Sequence, residues 1–243
     1  GWPAIHVRDK AKEETPKMEN IFIDIGARSK DEVLEMGVHV GCVITFKDEL
    51  TELNKKFYTG RALDNRIGGF MIAEVARLLK QDNIKLPFGL YIVNAVQEEI
   101  GLRGAEMIAA RIKPDVAIIT DVCHDTTAPM YSKIASGDYT AGKGPVLTCG
   151  AAVHKKLLDL IIDTAKKEDI PFQRSASSRS TGTDTDAFAY SNGGVPAALI
   201  SLPLKYMHTT VETASKEDIE NVIGLMLAFL KNFDQKFDFR YVK

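Results

Sequence analysis

Four acids and one histidine stand where the chain changes character: Asp64 ahead of an amphipathic run, Glu98 and Glu99 just past an apolar run and Gln97, Asp121 after the next, and His208 after the last. Residues at the ends of strands in one sheet lie side by side, so these five can converge on one spot. Gathering carboxylates without a cation is costly, because each negative charge opposes ionisation of the next. Divalent ions remove that conflict. Mixed Asp, Glu and His donors suit zinc or a similar ion, and an acid lying between two ions can bridge them for two-metal hydrolysis. Adjacent acids on an extended segment point to opposite sides. Glu98 and Glu99 are therefore expected to divide the work, one binding metal and the other moving protons as a general base with its pKa raised towards neutrality.

Each position also has a plainer reading. Asp64, followed by Asn65 and an amphipathic run, is taken alone most simply a helix N-cap, while Glu98, Glu99 and Asp121 can be solvated charges at strand ends, and a lone His208 is more often a hydrogen-bonded surface or core residue. His6, His39, His124 and His154 keep that plain reading.

The elements that must position these groups follow from periodicity. Residues 90–96 (LYIVNAV), rich in β-branched residues, predict a strand buried on both faces, with a helix resuming at 105–112 after Gly101 and Gly104. Residues 115–120 (DVAIIT) predict the next strand, ending at Asp121, and 195–202 (VPAALISL) the last, followed by Pro203. Helices are expected from Asp64, with Ile67, Phe70, Met71, Val75, Leu78 and Leu79 at helical spacing, over 151–167, and over 216–233 with Ser215 as cap and Asp218 in the box position. Between them, 173–185 reads as a Ser/Thr/Gly-rich loop that can line a substrate pocket or simply connect, with a helix from Asp186. Before residue 59 the pattern is β-rich: strands are predicted at 21–25 and 38–46, with a helix start at Ser29 and Glu32 between them. The expected organisation is a β-rich lobe over 1–58 and an α/β domain with a mixed sheet over 59–243.

Bulk properties narrow the partners. The chain has 243 residues, 45% hydrophobic and 26% charged, with a net charge of −2 and Lys and Arg scattered, which argues against nucleic acid and against a polybasic membrane contact. Its substrate is expected to be a small molecule or peptide. Cys42, Cys123 and Cys149 are odd in number and widely spaced, as in reduced packing thiols of a cytoplasmic protein. No run is long enough for a membrane helix. The opening GWPAIH lacks an initiator Met, so the sequence reads as a fragment.

Four motifs, RALDNRIG (61–68), QEEIG (97–101), TDV (120–122) and YMHTTVE (206–212), resemble in order and spacing those of the M42 metalloaminopeptidases, the glutamyl and tetrahedral aminopeptidase group. DIGA (24–27), Gly37-Val38, GKGP (142–145), GTD (182–184) and Pro203-Leu204 extend the likeness over essentially the whole chain. The resemblance implies that Asp64 bridges two divalent ions, zinc or alternatively cobalt or manganese, with Asp121 on one and Glu99 and His208 on the other. Glu98 becomes the general base and acid. It further implies an α/β/α catalytic domain, an inserted β-rich dimerisation lobe, short peptide substrates, and a homo-oligomer built from dimers up to a dodecamer. The family's His-x-Asp motif has no counterpart here, so about the first third of a family member is expected to be missing and one ion lacks its histidine. Cys42 stands where the family usually has an acid.

The expected activity is metal-dependent hydrolysis of N-terminal residues from peptides. A related carboxypeptidase or amide-deacylating metallohydrolase can use the same cluster, and a chain lacking one ligand can serve as a non-catalytic assembly subunit. A glycosidase fits poorly, because its two carboxyls must face one bond across a fixed gap.

Overall fold

The computed structural model describes residues 17–242; His6 and the opening GWPAIH lie outside the described residues. The chain divides into two compact units, Gly1–Lys47 and Asp48–Lys243, ahead of the change of texture expected at 58–60.

In the first unit a short helix α1 (Lys30–Glu35) is capped as its sequence predicts: Ser29 Oγ accepts from Glu32 N at 3.2 Å, and the Glu32 carboxylate accepts from Arg28 N at 2.7 Å. The strands expected at 21–25 and 38–46 do not form ladders among the described residues. Their apolar side chains, Val40 and Phe46 among them, are exposed. A β-run is assigned as a strand only where a neighbouring strand pairs its backbone in a ladder.

The second unit is built on a mixed seven-stranded sheet in the order β1 (Thr51–Leu53), β2 (Phe57–Gly60), β7 (Glu212–Ser215), β6 (Ala197–Lys205), β4 (Val146–Gly150), β5 (Gln173–Ser177), with β3 (Ala117–His124) pairing β6 off that path. The β3–β6 and β4–β5 pairs are parallel and the others antiparallel. β6 is the spine: its apolar run AALISLPL is buried throughout, as a strand covered on both faces requires. Its residues Ala198, Ile200, Leu202 and Leu204 join a core made with α2 (Leu63–Gln81), α5 (Lys155–Lys167) and α7 (Lys216–Asn232), where Met71, Leu157, Ile161 and Leu225 are fully buried. A second, smaller cluster joins Ala117, Val195 and Ala197 to Phe188 and Ala189 of α6 (Asp184–Ala189), which contacts α3 (Arg103–Ile112). Between β3 and β4, α4 (Lys133–Ser136) is a single exposed turn whose start is capped by Ser132 Oγ.

Several boundaries differ from expectation for identifiable reasons. β3 runs past Thr120 to His124 because β6 pairs it that far, so Asp121 lies within the strand rather than at its end. Residues 173–177 are not loop: despite their Gln, Arg and Ser content, β4 pairs them as β5. α6 begins two residues early because Thr183 Oγ1 accepts from Thr185 N. Residues 90–96, expected to be buried on both faces, have no ladder partner among the described residues, and Tyr91 and Val96 are exposed. The thiols are free, and Cys149, expected to pack, is exposed.

Two further contacts fix the frame. Ser215 Oγ caps α7 by accepting from Asp218 N, and the wholly buried Asp218 carboxylate accepts from Gly142 N at 2.6 Å and Gly144 N at 2.7 Å. The Gly142-Lys-Gly144 turn is thereby tied to a helix start, and a Cβ on Gly144 would lie 2.0 Å from Pro171 O.

Candidate metal centre

Asp64 lies in the first turn of α2, yet its backbone is extended there (φ −78°, ψ 110°), following Ala62 in the left-handed region. The cap expected of Asp64 is supplied by its neighbour. Asn65 Oδ1 accepts from Gly68 N at 2.9 Å, and Asn65 Nδ2 donates to Thr120 O at 2.8 Å. One side chain thus starts the helix and ties it to β3 beside Asp121. That leaves the Asp64 carboxylate free to face His208, whose Nε2 stands 3.1 Å from Asp64 Oδ2.

Glu98 and Glu99 sit in a tight turn between the 90–96 segment and α3. Gly101 N and Leu102 N both donate to Glu98 O at 3.0 Å, and Gly104 N donates to Val96 O at 2.9 Å. A Cβ on Gly104 would lie 2.4 Å from Val96 O, so only glycine allows this approach. The turn places Glu99 Oε2 3.3 Å from His208 Nε2.

Among the described residues, Asp64, Glu99 and His208 offer one ligand atom each with all three atoms within 4.8 Å of one another. Asp121 and Glu98 are outside that group but electrostatically coupled to it. Burial, then the charges of Glu99 and Glu212, lifts the Asp64 pKa to about 6 against the opposing pull of His208. Burial, then Asp184, Glu99 and Asp64, lifts Glu98 to about 7. Asp121 rises to about 8, chiefly through burial, although Val122 N donates to its Oδ1 at 2.8 Å.

This cluster suits divalent ions. The donors are the hard oxygens and imidazole that such ions take, and among the described residues no Lys or Arg forms an ion pair with Asp64, Glu98, Glu99 or Asp121.

Two acids in the site were not singled out as functional from sequence. Asp184 follows the Thr183 cap; its Oδ1 is sealed from solvent without a hydrogen-bond partner among the described residues, and burial raises its pKa. Glu212, at the start of β7, is buried and accepts backbone hydrogen bonds from Asp64 and His208. Both lie in stretches matched by motif, GTD and YMHTTVE, but nothing in residue type alone separates them from surface acids. The other histidines among the described residues keep plain roles: His39 Nδ1 contacts Val40 O, Tyr131 Oη contacts His124 Nδ1, and His154 stacks on Tyr241.

Alongside this geometry, a model of the M42 glutamyl aminopeptidase family matches residues 1–225. The chain belongs to the M42 peptidase family. The lysyl aminopeptidase of Pyrococcus furiosus is 37% identical over 228 residues, 93% of this chain and 64% of that protein. The TET aminopeptidase from the marine sediment archaeon Thaumarchaeota archaeon SCGC AB-539-E09 superposes with a TM-score of 0.87 at 32% identity, covering 95% of this chain and 65% of that one. The TET1 peptidase of Pyrococcus horikoshii, which can assemble into a tetrahedron or a large octahedral shell, gives a TM-score of 0.72 at 27% identity over 95% of this chain and 66% of that one. The chain therefore spans less than two thirds of the length of the first two, and over that span the α/β fold with a mixed sheet is borne out. Among the described residues no helix is long and apolar enough to cross a membrane.

Proposed function

We propose that this chain carries most of the catalytic domain of a metal-dependent aminopeptidase that removes N-terminal residues from short peptides. The observation that carries this reading is the convergence of Asp64, Glu99 and His208, from three separate motifs, onto ligand atoms within 4.8 Å of one another. Asp64, Glu99 and His208 would hold one divalent ion, and Asp64 with Asp121 a second. Zinc fits the donors best, with cobalt and manganese as alternatives. Bound there, such ions lower the pKa of water and polarise a scissile carbonyl.

The chain's own residues supply the rest. Glu98 accepts a proton from the attacking water and returns it to the leaving amine, and burial together with Asp184 holds its carboxyl above the ordinary glutamate range, the direction that task needs. Asn65 keeps Asp64 clear of helix capping, and the turn closed on Glu98 O separates the proton carrier from the ligand Glu99. The acidic surroundings favour a substrate with a free α-ammonium group. Residues 1–58 contribute to a dimerisation lobe, and the protein forms a cytoplasmic homo-oligomer built from dimers, in keeping with the tetrahedral and octahedral shells of its structural relative.

The test is hydrolysis of aminoacyl-p-nitroanilides and of their N-acetylated forms by the full-length, metal-loaded protein. The free-amine substrates are expected to be cleaved and the blocked ones not. Equal cleavage of both removes the aminopeptidase reading in favour of an amide-deacylating hydrolase.

A further inference from the structure

Glu212 is 2% exposed, and among the described residues no Lys, Arg or His pairs with its carboxylate. A buried carboxylate persists only where donors replace its water. Here both donors are backbone N–H groups of residues in the metal cluster: Asp64 N donates to Oε2 at 3.1 Å and His208 N to Oε1 at 2.7 Å. Both N–H groups sit on irregular backbone. Asp64 is extended inside the α2 span, and His208 occupies the left-handed region at φ 63°, which a non-glycine residue holds only when its surroundings impose it.

We propose that Glu212 is a positioning residue that sets the separation of Asp64 and His208, and with it the affinity of the site for divalent metal. The start of α2 and the loop between β6 and β7 are far apart in sequence, and one carboxylate grips both. β7 makes that grip rigid, because Glu212 is paired with Gly60 of β2 just upstream of Asp64. Two simultaneous acceptor oxygens are needed, so glutamine, although equal in shape, cannot replace glutamate: its amide nitrogen would meet an N–H donor. This is the outer support that metal ligands require, exerted through their main chains rather than their side chains.

The inference rests on the metal-site reading, and the experiment separates the two. Zinc binding to the metal-free, full-length protein is measured by calorimetry for the wild type, Glu212→Gln and Thr213→Val, alongside thermal unfolding of each metal-free form. Thr213 is the next residue of the same strand, and its Oγ1 sits 3.0 Å from Thr59 Oγ1 rather than on a cluster residue. Glu212→Gln is expected to weaken zinc binding roughly 10–100-fold, with KM unchanged and kcat recovering at saturating zinc, while Thr213→Val binds as the wild type does. Unchanged affinity in Glu212→Gln, or an equal loss in Thr213→Val, overturns the proposal. If Glu212→Gln does not fold, Glu212→Asp, which retracts the carboxylate by one methylene, is judged by the same criteria. A wild type that binds no zinc contradicts the metal site itself instead.

Discussion

His208 Nε2 stands 3.1 Å from Asp64 Oδ2 and 3.3 Å from Glu99 Oε2, so a single imidazole faces two carboxylates drawn from two other motifs. The charges of Asp184 and Asp64 raise both Glu98 and Asp121, and that of Glu98 raises Asp121. If this cluster takes divalent ions as proposed, its stability should respond to rising pH and to metal in opposite senses.

In the metal-free protein, Asp64 and Asp121 move from 3.8 to about 6 and about 8, and Glu98 from 4.5 to about 7. Across that window the folded chain retains protons that the unfolded chain has released, so the contribution of these groups to stability is greatest at low pH and falls as pH rises through the folded values. Melting temperature of the metal-free protein is expected to decline from about pH 5 to about pH 8, and saturating zinc to restore it by binding the native state. A melting temperature that rises over the same range contradicts the assigned shifts.

Asn65 has two duties, capping α2 and bonding Thr120 O. Replacing it with alanine removes both and is expected to cost about 1–2 kcal/mol in urea unfolding. Activity should fall further than stability does, because Asp64 loses the neighbour that keeps it extended. Full activity in a destabilised Asn65→Ala protein would show that Asp64 is held by other means.

Asp184 is the largest charged contributor to the raised pKa of Glu98, second only to burial. Asp184→Asn removes that charge, so the acidic limb of the kcat/KM profile, which reports the base in the free enzyme, is expected to move to lower pH. A limb that stays in place assigns the ionisation to another group.

Much of this site was legible because its residues announce themselves chemically. Asp64, Glu99 and His208 each follow a break in an apolar or turn-forming stretch, and the structure brings their side chains together. The caps at Ser29 and Ser215 were readable for a similar reason, since a hydroxyl three residues before an acid is a local signal. What escaped was decided by partners distant in sequence. Asn65 rather than Asp64 caps α2 because His208 and Thr120 draw the two side chains to different tasks. The Gln/Arg/Ser-rich 173–177 became β5 through pairing with β4, whereas the strongly β-prone 90–96 segment lacks a ladder among the described residues. Glu212 looks like any polar residue after a turn until its two backbone donors are seen.

The division of labour between Glu98 and Glu99 is tested most directly by Glu98→Gln in the full-length protein, with zinc content and aminoacyl-p-nitroanilide turnover measured together. Wild-type zinc binding is expected, with kcat reduced roughly 10²–10⁴-fold, as the proposed roles of Glu98 in proton transfer and Glu99 in metal binding require. A Glu98→Gln protein that retains full turnover would contradict that assignment.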